Sequence, residues 1–266
     1  MAVDKLVDST QLDADLTAVA GAIRQKGGTS AALAFPDGFV SAIEAISGGG
    51  GGGYSATDIA TMKSTGISGA VLLENTGNDL RREAFKNCIG ITSISAPYIT
   101  LASTTGYAGY ASFQGCSAAT SISFPLLIQT NGNTFAQMSR LPVAVFPRLT
   151  SFGNYTFESC SSLSVVDAGG SAAGAFGTNV FINCSSLSTL ILRSTGVKTL
   201  PNINVFNNTP FASGKAGGTL YVPSALISSY QSATNWSTIL GYSTNSIAAI
   251  EGSIYETQYA DGTPIT

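Results

Sequence analysis

The chain has 266 residues, a net charge of −3 and a pI near 4.8. Only 10% of residues are charged, against about 25% in an average soluble domain, whereas 44% are hydrophobic. That balance provides a large core, offers no basic footprint for nucleic acid or anionic membrane, and leaves the surface to Ser, Thr, Asn, Gly and Ala. The chain contains no histidine, which excludes Ser-His-Asp and Cys-His nucleophiles and histidine-ligated metals. No run of 18 apolar residues occurs, so no membrane-spanning helix is expected. Met1 to Leu6 lacks the basic start and apolar stretch of a secretory signal, and none is expected.

In chain order, residues 1–47 predict a small helical module. Leu12, Leu16, Val19 and Ile23 share one helix face, with Asp13 and Asp15 at its start and Lys26-Gly27-Gly28 at its end. Pro36-Asp37-Gly38 then leads into Phe39, Ile43 and Ile46, a second short helix. Two such helices bury too little to stand alone. The faces carrying Leu12, Leu16, Val19, Ile23, Phe39 and Ile43 are therefore expected to anchor the chain to a partner or to copies of itself. Residues 48–53 are all glycine and predict a flexible linker.

From residue 54 to 251 the sequence is dominated by a repeat. An aromatic is followed three residues later by Cys or Met, then by apolar or small residues at further steps of three. The copies begin Phe85/Cys88, Phe113/Cys116, Phe135/Met138, Phe157/Cys160 and Phe181/Cys184, with Phe206 starting a degenerate sixth. The aromatics are 28, 22, 22, 24 and 25 residues apart, a period typical of stacked coils that bury a continuous core only together. Residues 70–73 predict an entry strand. Short parallel strands are expected at 92–96, 120–124, 143–146, 164–168 and 189–192, and a further strand at 218–223. In each, the central residue (Ile94, Ile122, Val166, Leu190) turns inward and its neighbours outward. The third copy, with Met138 and Ala144, is expected to be irregular. Residues 225–240, with Tyr230 and Trp236, predict a helical cap, and 252–266 a polar tail.

The four cysteines occupy the slot that Met138 fills in the third copy. A slot that accepts Met is apolar and buried, so Cys88, Cys116, Cys160 and Cys184 are expected to form an interior ladder of free thiols, with no disulfide and no metal. Glu158 and Asp167 belong to one coil, Glu158 in the turn and Asp167 near the strand end, and both are read as solvated charges. The chain is expected to have no enzymatic activity and no cofactor. The longest repeat carries Thr104-Thr105-Gly106-Tyr107-Ala108-Gly109-Tyr110. Insertions in solenoids map to loops on one face. Tyr107 and Tyr110 there either stack on sugar rings or fold back on the sheet; Asn131, Asn133 and Asn154 extend the same ridge or serve as turn residues.

The unit Phe157-Glu158-Ser159-Cys160-Ser161-Ser162-Leu163-Ser164, repeated as Phe181-Ile182-Asn183-Cys184-Ser185-Ser186-Leu187-Ser188, resembles the BspA-type leucine-rich repeat of bacterial and phage-borne surface proteins. Leu220-Tyr221-Val222-Pro223 with Tyr230 and Asn235-Trp236-Ser237 resembles that family's closing segment. The resemblance covers roughly residues 70–250 and implies a right-handed, β-rich (α+β) leucine-rich-repeat solenoid. Residues 15–28 and 35–43 resemble a module found at the start of phage tail-associated proteins. That resemblance implies a non-enzymatic virion protein, anchored to other virion proteins through its N-terminus as a homo-oligomer, with a trimer favoured. Its solenoid would attach to a glycan on the host surface. The alternatives are a purely structural decoration or assembly protein, and a bacterial surface adhesin.

Overall fold

The computed structural model describes residues 68–73, 82–100, 110–170 and 174–265. Residues 1–47, predicted as a helical module, the glycine run and Tyr107 lie outside them.

Among the described residues eight short strands stack in parallel: β1 (Ser68–Leu72), β2 (Gly90–Ser95), β3 (Ser121–Ser123), β4 (Val143–Phe146), β5 (Val165–Ala168), β6 (Thr189–Leu192), β7 (Thr219–Val222) and β8 (Ser246–Ala249). They form two sheets, β1-β2-β3 and β4-β5-β6-β7-β8, every pairing parallel. Successive strands therefore belong to successive coils. The inward row runs Ile94, Ile122, Ala144, Val166, Leu190 and Leu220 by register. Of these Ile122 is half-buried and the others are buried. Behind the sheets the repeat aromatics form one column: Phe85, Phe113, Phe135, Phe157, Phe181 and Phe206 lie 5.4 to 5.8 Å apart between ring centroids. The four cysteines are buried beside them and form no disulfide with one another. Cys116, Cys160 and Cys184 each donate from Sγ to the carbonyl of the preceding coil's aromatic, Phe85, Phe135 and Phe157, at 2.9 to 3.2 Å. Burial pushes the Cys116 thiol up to about 12 and Cys184 well above the ordinary thiol range, so both stay protonated donors.

The turns around each aromatic form a second ladder. Two residues flanking the aromatic, at positions −2 and +2, have left-handed backbone: Glu83 and Asn87, Ala111 and Gly115, Asn133 and Gln137, Tyr155 and Ser159, Asn179 and Asn183. Alternation of hand turns every second N–H toward the next coil. Asn133, Phe135 and Gln137 thus donate to the carbonyls of Asn154, Thr156 and Glu158. Left-handed backbone costs a non-glycine residue about 1–2 kcal/mol, and the inter-coil bonds offset it.

The sheet is interrupted between β3 and β4, and Pro142 is the cause. At this repeat position Thr120 N donates to Thr92 O, Ser164 N to Pro142 O and Ser188 N to Ser164 O. Pro142 has no N–H to give to Thr120. The third copy is irregular, but through its proline rather than through Met138 or Ala144, both of which are buried in the column.

The 225–240 segment is a 3₁₀ turn (Ser224–Leu226) followed by α1 (Ile227–Ser232) and α2 (Trp236–Leu240). It backs a coil rather than ending the stack, because β8 follows it and pairs with β7. Trp236 and Tyr230 are fully buried. Trp236 Nε1 donates to Lys198 O at 2.7 Å, and Lys198 N donates to Tyr230 Oη at 3.1 Å. Residues 252–265 are not a free tail: they fold against the outer face of β5 and β6.

Candidate functional site

Strand alternation gives the stacked sheets an outer face with two rows of side chains. One row follows the register Leu72, Ser95 and Ser123 in the first sheet. The corresponding positions of the second sheet are Val145, Asp167, Ile191, Tyr221 and Ala248. The companion row begins Ala70, Ser93 and Ser121.

The two sheets treat this face differently. Over β5 and β6 it is covered. Asp167 is fully buried, as is Ile191. Arg193 Nε and Nη2 hold the Asp167 carboxylate at 2.7 and 2.8 Å, and Ala260 N adds a third bond at 3.0 Å. Burial still outweighs the guanidinium and raises the Asp167 carboxyl above its ordinary range. This corrects the reading of Asp167 as a solvated charge. Local alternation points it outward, but the C-terminal segment roofs it. Held on both oxygens, it is not poised for acid–base work with Glu158.

Over β1–β3 the face is open among the described residues. Ser121 and Ser123 are exposed and Ser93 and Ser95 half-buried. Leu72 and Tyr98 are each 51% exposed, Tyr98 lying just past the end of β2. The strand rows carry four serine hydroxyls here, with Tyr98 exposed just past β2. Serine ladders continue elsewhere on the coils: Ser161 Oγ donates to Ser139 O and Ser185 Oγ to Ser161 O. Those hydroxyls spend their protons between coils.

The predicted ridge of Tyr110, Asn131, Asn133 and Asn154 is built of turn residues bonded across coils. Tyr110 is half-buried. The Arg82 guanidinium lies 5.1 Å over its ring, Asn133 Nδ2 donates to its hydroxyl at 3.0 Å, and its ring sits where a side chain on Gly132 would be. Asn154 Oδ1 accepts from Thr178 N at 2.8 Å, and Asn131 O accepts from Thr134 Oγ1 at 2.8 Å. Asn179 and Tyr155 repeat the Asn–Tyr pair two coils on. Leu12, Leu16, Val19, Ile23, Phe39 and Ile43 lie outside the described residues.

Sequence reasoning missed Tyr98, Arg193 and Lys198. Lys198 is buried, its ammonium donating to Thr150 O at 2.8 Å, and burial holds it down at about 8. Near Thr150 a groove of about 360 Å³ is lined by Ile128, Pro147, Arg148, Thr150, Gly169 and Gly170. The glycines there serve coil stacking, since a side chain on Gly169 would strike Pro147 O and one on Gly170 would strike Leu149 O.

A family model described as the BspA type leucine rich repeat region matches residues 78–213 in six copies. No curated protein matches the chain. Among solved structures, that of a T. pallidum leucine rich repeat protein is similar at 20% identity, covering 60% of this chain and 80% of that one, with a TM-score of 0.38.

Proposed function

The chain belongs to the BspA-type leucine-rich repeat family, and from that premise we propose that it is a non-enzymatic attachment protein whose open sheet face binds a neutral glycan on a cell surface. Stacked-repeat proteins present extended faces for binding. The observation that carries the reading is the contrast between the two outer faces, one roofed by the C-terminal segment and the other open among the described residues. The open one carries Ser93, Ser95, Ser121 and Ser123, and the exposed ring of Tyr98 follows just past β2. Hydroxyls that both donate and accept, next to a flat aromatic, suit a sugar ring. Protein interface cores, by comparison, are enriched in aromatics and Arg.

The resemblance of residues 15–28 and 35–43 to phage tail-associated modules extends the proposal to its carrier, a virion with this chain at its surface as an oligomer. A bacterial surface adhesin is the second reading, favoured because the repeats alone are what the family model matches. The test is binding of the full chain to whole cells and purified cell-wall glycans, beside Ser121→Glu/Ser123→Glu and a control, Ser161→Glu/Ser185→Glu, on the serine ladder. The expected result is saturable binding that the first variant loses by at least tenfold and the control keeps. Absence of binding to every candidate surface, with particles or cells still carrying the chain, would make the solenoid a spacer.

A further inference from the structure

The register row that holds Asp167 also accepts Val145, Ile191 and Tyr221, so the coil itself does not demand a buried ion pair there. Beyond bonding each other, Asp167 and Arg193 make the following contacts with the segment above them. Arg193 Nη1 donates to Tyr255 O at 2.7 Å and Nη2 to Gln258 O at 3.0 Å; Ala260 N donates to Asp167 Oδ2 at 3.0 Å. All three engage main-chain atoms of that segment. Two rings complete the grip: Tyr255 meets Tyr221 edge-on at 4.9 Å, and Tyr259 lies 5.0 Å from the Arg193 guanidinium carbon.

The segment is folded within itself. Tyr259 N donates to Thr263 O, Ile265 N to Thr257 O, and Gln258 pairs with Pro264 in an antiparallel bridge. Most of its side chains face solvent, Ile254 being 67% exposed. At its root Gly252 has φ +78°, a left-handed turn that glycine adopts without strain, and its N–H donates to Glu256 Oε2 at 2.9 Å. A self-bonded turn, held by a few main-chain contacts and two rings, has the form of a ligand tethered to its own site.

We propose that the outer face of β5 and β6 is a peptide-docking site, that residues 252–265 are its resident ligand in cis, and that it takes a peptide of the same kind in trans. The occupant is a turn-forming peptide offering two carbonyls and one amide, with aromatic side chains spaced like Tyr255 and Tyr259. The same segment of a second copy of this chain meets that description. The site is separate from the open face of β1–β3.

The test uses full-length chains and a fluorescent synthetic peptide of residues 252–266. Tyr255→Ala/Tyr259→Ala weakens the resident segment while leaving Asp167 and Arg193 in place. This chain is expected to bind the peptide saturably and at least tenfold more tightly than the wild type, whose own segment competes. Adding Arg193→Lys, which keeps the charge but cannot reach the carboxylate and two carbonyls together, is expected to weaken binding at least tenfold. Unfolding followed by Trp236 fluorescence checks that each variant is folded, and a scrambled peptide checks that binding is specific. No saturable binding to the weakened chain, or binding that Arg193→Lys leaves unchanged, would overturn the proposal.

Discussion

Phe135 spans the interruption between β3 and β4. Pro142 removes a ladder bond between β3 and β4, so side-chain packing must supply more of the coupling there. The Phe135 ring stacks on Phe113 at 5.8 Å and meets Phe124 edge-on at 5.2 Å on the far side of the break. On its own side it contacts Phe157 and Phe146, each at 5.6 Å. It is fully buried. Phe→Ala in such a site costs about 3–5 kcal/mol, and four ring partners, each worth about 0.5–1.5 kcal/mol beyond area, put it at the upper end. A whole domain is stable by only about 5–15 kcal/mol. In a stack held by nearest-neighbour contacts, the loss falls on the two coils that share the ring. Phe135→Ala is therefore expected to uncouple the two sheets.

Two probes can follow the halves separately. Trp236, the single tryptophan, reports on the C-terminal coils, and Cys88 and Cys116 report on the first sheet once their labelled peptides are resolved by mass. In the wild type both should follow one urea transition. In Phe135→Ala the thiol midpoint should fall below the tryptophan midpoint by at least about 1 M, from a loss near 4 kcal/mol and a slope of about 1–3 kcal/mol/M. Phe181→Ala removes an equivalent ring, stacked at 5.8 and 5.7 Å, but lies where β5 and β6 are hydrogen-bonded. It should lower both midpoints together. Coincident transitions in Phe135→Ala, or a split in Phe181→Ala, would refute the reasoning.

Pro142→Thr restores the missing donor. Its hydrogen bond adds about 1 kcal/mol, partly offset by about 0.4–1 kcal/mol from a looser unfolded chain; in the Phe135→Ala background it should narrow the gap between the two midpoints by no more than about 0.5 M, without closing it. Lys198 is held at about 8 by burial, whereas the unfolded chain keeps its proton to about 10.4. The unfolded state thus binds more protons between those values, and Tm should rise from pH 8 towards 10; Lys198→Met should remove that portion of the slope. Asp167 has a raised carboxyl, so its contribution is fully present below the ordinary carboxylate range near 3.9 and declines as pH rises through the folded value. Acidification to pH 4 should therefore leave the Ala260 amide at least as protected as at pH 7, and loss of that protection in acid would contradict the assignment.

The coils were legible because their signal is local and periodic. Phe at a fixed step, Cys or Met three residues on, and an inward residue at mid-strand placed β4 and β6 to the residue and the others within two. The turn ladder was less legible. Asn87, Asn183 and Asn208 suit left-handed backbone, but Glu83, Ala111, Gln137 and Tyr155 adopt it with no preference of their own, because the neighbouring coil dictates it. β8 escaped notice because Ser246-Ile247-Ala248-Ala249 is weakly apolar and gains its place by pairing with β7. Asp167 and Tyr110 show the limit most plainly. Alternation gave Asp167 its outward direction, but its roof comes from Ala260, 93 residues away. Tyr110 looked available beside glycines and threonines, but its partners Arg82 and Asn133 belong to coils on either side. Tyr98 stands out in the structure only because nothing among the described residues covers it.

Hydroxyl-radical footprinting of the full chain, with and without saturating cell-wall polysaccharide, tests the central claim most directly. Oxidation of Tyr98 and Leu72 should fall severalfold on binding, while Tyr255, Tyr259 and Ile254 over the second sheet remain as reactive as in the free chain. Unchanged oxidation at Tyr98 and Leu72, or protection confined to the C-terminal segment, would contradict a glycan site on the open face of β1–β3.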